Sequence, residues 1–288
     1  MRSEQEMFDL ILGYVRKNEA VRAVIMNGSR VNPNAKKDPF QDYDIVFLVR
    51  SVEPYRHNPE IPRYFGEILV MELPEDMEDP PPSNDGGYGY LMQFMDGTRI
   101  DLGFYPLEQA RRCVEDSLSV VLLDKDNLIG ELPPPSDRSY LAKKPTAKTF
   151  DDCCTEFWWV TPYAAKGLWR DELTYARCIL DECIRGQLMR MLTWYFGVRT
   201  GFQKSPGKEG KYLKGGVGEE VWAMLERTYA DANFENTWQA LFVMGDLFRK
   251  LAHAVASEFG FTYPEQYDQN VSAFIRRIRA LPRDAKTI

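Results

Sequence analysis

Apolar residues recur along this chain with two periods, and the change between them falls near residues 133–148. Before it, short alternating or β-branched runs predict strands at 21–27, 43–50, 67–72, 88–95 and 99–105, with a shorter one at 119–123. One amphipathic helix opens the chain from Ser3 to about Lys17, with Met7, Leu10, Ile11, Tyr14 and Val15 on its apolar side. Pro74 to Asn84, rich in proline and acid, reads as a loop. After residue 149 helical spacing dominates, at 150–159, 172–197, 218–229, 235–259 and 264–280. Pro133-Pro134-Pro135 forms a stiff, extended break between the halves. The expected architecture is α+β: a mixed sheet with helices over residues 1–135, a linker at 136–148 and a helical bundle over 149–288.

Three carboxylates stand in or beside the apolar strand runs. Asp42 and Asp44 precede and open Ile45-Val46-Phe47-Leu48-Val49, and Asp101 sits between Ile100 and Leu102. A spacing of two along a strand puts Asp42 and Asp44 on one face, about 6–7 Å apart. Carboxylates that close repel unless a cation lies between them. Upstream, Val24-Ile25-Met26 leads into Gly28-Ser29. A small, permissive turn of this kind lets backbone N–H groups approach a triphosphate. Such a turn, with acids able to hold a divalent metal against the phosphates, is what nucleotidyl transfer to a hydroxyl requires.

Gly28-Ser29, twelve residues, then Asp42-x-Asp44 resembles the signature of the polymerase-β-type nucleotidyltransferase superfamily. Further stretches resemble the aminoglycoside 6-adenylyltransferases, which adenylylate streptomycin. They include Phe40-Gln41-Asp42-Tyr43-Asp44-Ile45, Pro74-Glu75-Asp76-Met77-Glu78, Leu123-Asp124-Lys125-Asp126, Asp151-Asp152-Cys153-Cys154-Thr155-Glu156-Phe157-Trp158 and Val160-Thr161-Pro162-Tyr163. The similarity runs from residue 1 to about residue 275. It implies a nucleotidyltransferase domain followed by a helical substrate-binding domain, with ATP as co-substrate and Mg²⁺ as cofactor. By that resemblance Asp42 and Asp44 bind metal. Asp101 is a third ligand, the general base, or both, with Glu156 the alternative base. Gly28 and Ser29 cradle the phosphates, and Arg30 either adds a contact or faces solvent. Lys208 and Lys211, in a Gly-rich turn, either reach a triphosphate or are solvated. That turn is not a P-loop, because Glu209 follows the lysine where Ser or Thr is needed.

The net charge of −7 argues against a nucleic-acid partner, which would call for a basic face. An acidic protein that uses a nucleotide suits a cationic second substrate such as streptomycin. Glu156, with Asp181 and Glu182 behind it, is the expected acceptor-binding acid. Its neighbours Cys153-Cys154 and Phe157-Trp158 make a charge there costly without a cationic partner. For Asp181 and Glu182 the competing account is helix-surface pairing with Arg185 and Arg190. All six tryptophans fall in the second half, where they pack a core, though one or two near Glu156 are placed to wall a pocket. Two histidines, His57 and His253, are too few and too far apart for a zinc site or a Ser-His-Asp triad. Five cysteines without paired spacing read as reduced thiols. No run of eighteen apolar residues exists, and the acidic N-terminus lacks a signal core, so a cytoplasmic monomer or small homo-oligomer is expected. Other acceptors (a lincosamide, another aminoglycoside, a protein side chain) and a non-catalytic nucleotide-binding module remain the alternatives.

Overall fold

The computed structural model describes all residues, Met1–Ile288. They divide into two compact units, Met1–Ser139 and Tyr140–Ile288.

Unit one is built on six strands: β1 (Val21–Asn27), β2 (Tyr43–Val49), β3 (Ile68–Glu72), β4 (Tyr88–Phe94), β5 (Arg99–Pro106) and β6 (Ser119–Asp124). Their order is β3-β4-β5-β2-β1-β6; β2 and β5 run parallel and every other pair antiparallel. Strict alternation in β4 and β5 sends Tyr90, Met92, Ile100, Leu102 and Phe104 to one face. There they meet Met7, Ile11 and Val15 of α1 (Glu4–Lys17) and Ile61 and Phe65 of α2 (Glu60–Phe65). Ser3 and Glu6 form a reciprocal capping box that starts α1 where the apolar period begins. The opposite face has a smaller cluster, Ala23, Ile25 and Leu48, backed by Leu107, Leu128 and Ile129. The polar ends of the strands lie on this second face. Residues 136–139, expected in the linker, are held to unit one instead, because Ser117 bonds the backbone of both Ser136 and Ser139.

Unit two is helical: α3 (Ala147–Trp169), α4 (Leu173–Cys178), α5 (Arg185–Thr200), α6 (Lys214–Val217), α7 (Glu219–Glu226), α8 (Phe234–Phe259) and α9 (Glu265–Ala280). Two elements differ from the sequence expectation. The helix expected at 150–159 continues through Pro162 to Trp169. The helix expected at 172–197 is interrupted by a π-helical segment, Ile179–Ile184. The core centres on α3 and α8, where Phe157 stacks on Phe248 with ring centroids 3.8 Å apart. Cys153 and Cys154 are buried there, and burial pushes both thiols up, Cys153 to about 12, so the vicinal pair is poorly nucleophilic.

Asp268 is the polar anchor of this unit. Only 1% exposed, it accepts from Arg249 Nη2 (2.6 Å), Tyr263 Oη (2.8 Å) and Ser272 Oγ (2.9 Å). Burial alone would raise its carboxyl, but these donors outweigh it and hold the group below its ordinary value. Its contribution to stability is therefore complete above the ordinary carboxylate range and is lost as pH falls through the lowered value. Asp268→Asn should cost about 3 kcal/mol near neutral pH, because it takes from Arg249 its buried partner and leaves only Asp246, half exposed, to pair with it. Melts of variant and wild type should converge in strong acid; an equal gap at all pH values would refute this account.

Candidate active site

The second face of the sheet gathers the polar residues where β1 ends and β2 and β5 begin. The register sets Ser119 opposite Asn27, Asn27 opposite Asp44, and Asp44 opposite Asp101, a polar row across four strands. Directly opposed residues share a face, so Asp44 and Asp101 lie side by side although far apart in sequence. Asp42 lies one residue ahead of β2 rather than on it. Burial pushes its carboxyl above the ordinary value, against the pull of Arg99.

β1 turns at Gly28 into a short 3₁₀ segment, Gly28–Val31. Gly28 has φ +79°, and a Cβ there would stand 2.1 Å from Asp44 Oδ2. Glycine thus supplies both the left-handed turn and the space the carboxylate occupies. Gln41 Nε2 donates to the Ser29 carbonyl (3.1 Å), tying the turn to the residue before Asp42.

Arg30 reinforces that tie. Its guanidinium covers the Tyr43 ring at 3.6 Å and donates to the carbonyls of Gln41 (2.9 Å) and Asp42 (3.1 Å), with Glu4 beyond. The alternative that Arg30 faces solvent fails, since its side chain is largely covered, and it positions the Asp42 backbone.

Arg99 has no role in the sequence-based expectation. Its Nε and Nη2 donate to the two oxygens of Asp101 (2.8 and 2.7 Å), and its Nη1 lies 3.5 Å from Asp42 Oδ2. Asp44 also lies in its field. The signal was available, since Arg99 precedes Asp101 by two residues on a strand and so shares its face. With the fork so placed, no three acids gather tightly enough to hold an ion as they stand. The donor set nevertheless suits a hard divalent cation, being all carboxylate, and a guanidinium already stands in for positive charge. Two buried side-chain oxygens in the row, Asn27 Oδ1 and Ser119 Oγ, have no partner.

In unit two, Glu156 is exposed on α3. The expectation that apolar company surrounds it fails for a helical reason. Cys153, Cys154, Phe157 and Trp158 turn to the core, and Glu156 falls on the other side of the same helix. It borders a polar depression of 530 Å³ with Asp151, Asp152, Gln187 and Arg190. Thr155 joins this to an aromatic groove of 640 Å³ walled by Trp158, Trp159, Tyr163, Tyr267 and Phe274. Trp159 is 65% exposed there, so it is not a core residue.

Asp181 and Glu182 do not line either feature. They belong to the π-helical segment, where Asp181 gives its oxygens to Arg177 (2.8 Å) and Arg185 (3.2 Å). Surface pairing explains Asp181, except that Arg185 is buried against Thr228 and Tyr229. Lys208 and Lys211 are exposed in a turn of unit two, with Lys211 over the Tyr212 ring at 5.2 Å. No helix is long and apolar enough to cross a membrane.

Comparison with known proteins adds an independent line. The profile of a family described as streptomycin adenylyltransferase matches residues 1–278. The chain is 39% identical over 280 residues to an aminoglycoside 6-adenylyltransferase of Bacillus subtilis (strain 168), spanning 96% of this chain and 98% of that protein. It is likewise 39% identical over 278 residues to one of Campylobacter jejuni, spanning 96% of each. A crystal structure of an aminoglycoside 6-adenyltransferase from Bacillus subtilis is 36% identical and covers 98% of this chain and all of its own, with a TM-score of 0.48.

Proposed function

Because this chain belongs to the streptomycin adenylyltransferase family, we propose that it transfers AMP from ATP to the 6-hydroxyl of streptomycin, releases pyrophosphate and so inactivates the antibiotic. The observation that carries this reading is the registration of Asp44 beside Asp101, against the Gly28 turn.

Asp42, Asp44 and Asp101 would hold Mg²⁺, which when bound offsets the negative charge of the phosphates. Ser29 and the N–H groups of the turn cradle the β- and γ-phosphates. Lys208 and Lys211 of unit two are the proposed further phosphate contacts. A carboxylate, Asp101 with Glu156 as the alternative, takes the proton from the acceptor hydroxyl. The hydroxyl oxygen then bonds to the α-phosphorus. The bond from that phosphorus to the bridging oxygen breaks, and pyrophosphate leaves with the electron pair. The acceptor's guanidinium groups suit the carboxylates of the depression beside Glu156. The adjoining aromatic groove suits the apolar faces of sugar rings and cation–π contact.

Incubation with Mg-ATP and streptomycin should add one adenylyl group to the drug by mass spectrometry. Turnover of a lincosamide but not of streptomycin would overturn the acceptor assignment. Glu156→Gln should raise the Michaelis constant for streptomycin about two- to fivefold, the range for losing an exposed charge contact. The constant for ATP should stay unchanged, as expected for a purely acceptor-side contact. Weaker ATP use in this variant would move the acceptor site elsewhere.

A further inference from the structure

We propose that Arg99 is the resident counter-cation of the carboxylate site and competes with the divalent ion for Asp101. The inference rests on the metal-binding reading of the three acids given above.

Asp44 and Asp101 stand side by side at the start of two adjacent parallel strands, with Asp42 just ahead of β2, and like charges so placed repel one another. The Arg99 guanidinium offsets part of that repulsion and keeps the β2–β5 pairing from opening at its polar end. Geometry then makes this service an obstacle. Arg99 takes both oxygens of Asp101 in a bidentate fork, at 2.8 and 2.7 Å, and so engages a lone pair on each. It also lies within 3.5 Å of Asp42. While this fork is closed Asp101 is a poorer ligand, because the guanidinium takes a lone pair on each oxygen and its charge repels the ion, and no three acids are gathered for one as they stand. Release is feasible because the Arg99 side chain is 40% exposed, so its long stem has solvent to turn into. Arg99 is therefore a positioning residue. It sets where Asp101 points before the ion arrives, and it yields when the ion supplies more charge than a guanidinium does.

The test measures Mn²⁺ binding to the full-length protein by titration calorimetry without nucleotide, with parallel thermal melts in chelator. Arg99→Gln should melt earlier in chelator yet bind Mn²⁺ about tenfold more tightly than wild type. Its melting temperature should gain more from the ion. Arg99→Lys keeps the charge without the fork; it should fold where the glutamine variant does not, and bind the ion with intermediate affinity. Unchanged or weaker Mn²⁺ binding in both variants would overturn the proposal, because a side chain that only braces the site does not compete with the ion. Asp44→Asn separates the two readings. If wild type and Arg99→Gln both lack Mn²⁺ binding sensitive to Asp44→Asn, the metal assignment fails and this inference falls with it. If wild type binds through Asp44 and the Arg99 variants bind no tighter, the inference alone fails.

Discussion

Asp44→Asn is expected to lower turnover at least about a thousandfold while leaving the sheet folded. An amide keeps the shape of the side chain but lacks the charge that a metal ligand needs. Losing about 4 kcal/mol of transition-state charge stabilisation corresponds to roughly three decades in rate. Stability should move the other way or not at all. Asp44 shares the polar row with Asp101, and the repulsion relieved by removing one of two adjacent like charges offsets the attraction to Arg99 that is lost with it. The pattern to look for is therefore an inactive protein that melts no earlier than wild type. Turnover within tenfold of wild type would remove Asp44 from the proposed machinery. An unfolded variant would instead assign it a structural role.

Gly28→Ala should be nearly as damaging by a different route. The added Cβ meets Asp44 Oδ2 at 2.1 Å, and alanine is strained at φ +79°. The backbone strain costs about 1–3 kcal/mol. The collision forces the carboxylate or the turn to shift, and a misplacement of about 1 Å at a reacting site costs on the order of 10²-fold in rate. Gly130→Ala separates the two effects. Gly130 has a similar φ of +76°, but a Cβ added there would meet nothing within 4 Å, so its alanine carries the strain without the collision. It should lose some stability and keep its rate. Equal loss of rate in both variants would show that strain, not the Asp44 contact, explains the glycine.

How far the sequence could be read depends on what each element faces. Strands β4 and β5 bury alternate residues against α1 and α2, so their period of two survives in the sequence. The three acids and the Gly-Ser turn were legible because polar groups interrupt apolar runs there. What escaped reading was direction. Glu156 sits among buried neighbours in sequence, yet a helix turns successive side chains about 100° apart and sends it to solvent. The buried spacing of α3 runs on past Pro162 through Ala164, Ala165 and Leu168, so an expected end at residue 159 stopped short of it. Arg30 and Arg99 look alike as cations beside acids. Only tertiary placement shows that one is stapled to the carbonyls of residues 41 and 42 and the other forks onto Asp101. Such partner choices arise from strands that meet across the sheet, and no local spacing encodes them.

The parallel pairing of β2 with β5 also bears on when the molecule becomes competent. The chain lays down Gly28, Asp42 and Asp44 early, then makes α2, β3 and β4 before β5 returns beside β2. Pairings between distant segments are slow to form, since the intervening chain must first lose much of its freedom. A nascent or refolding chain therefore carries two acids and the turn for some time without the third. On the proposed reading, competence would arrive with the closing of the sheet's central seam, and a half-made molecule would hold only two of the three proposed metal ligands.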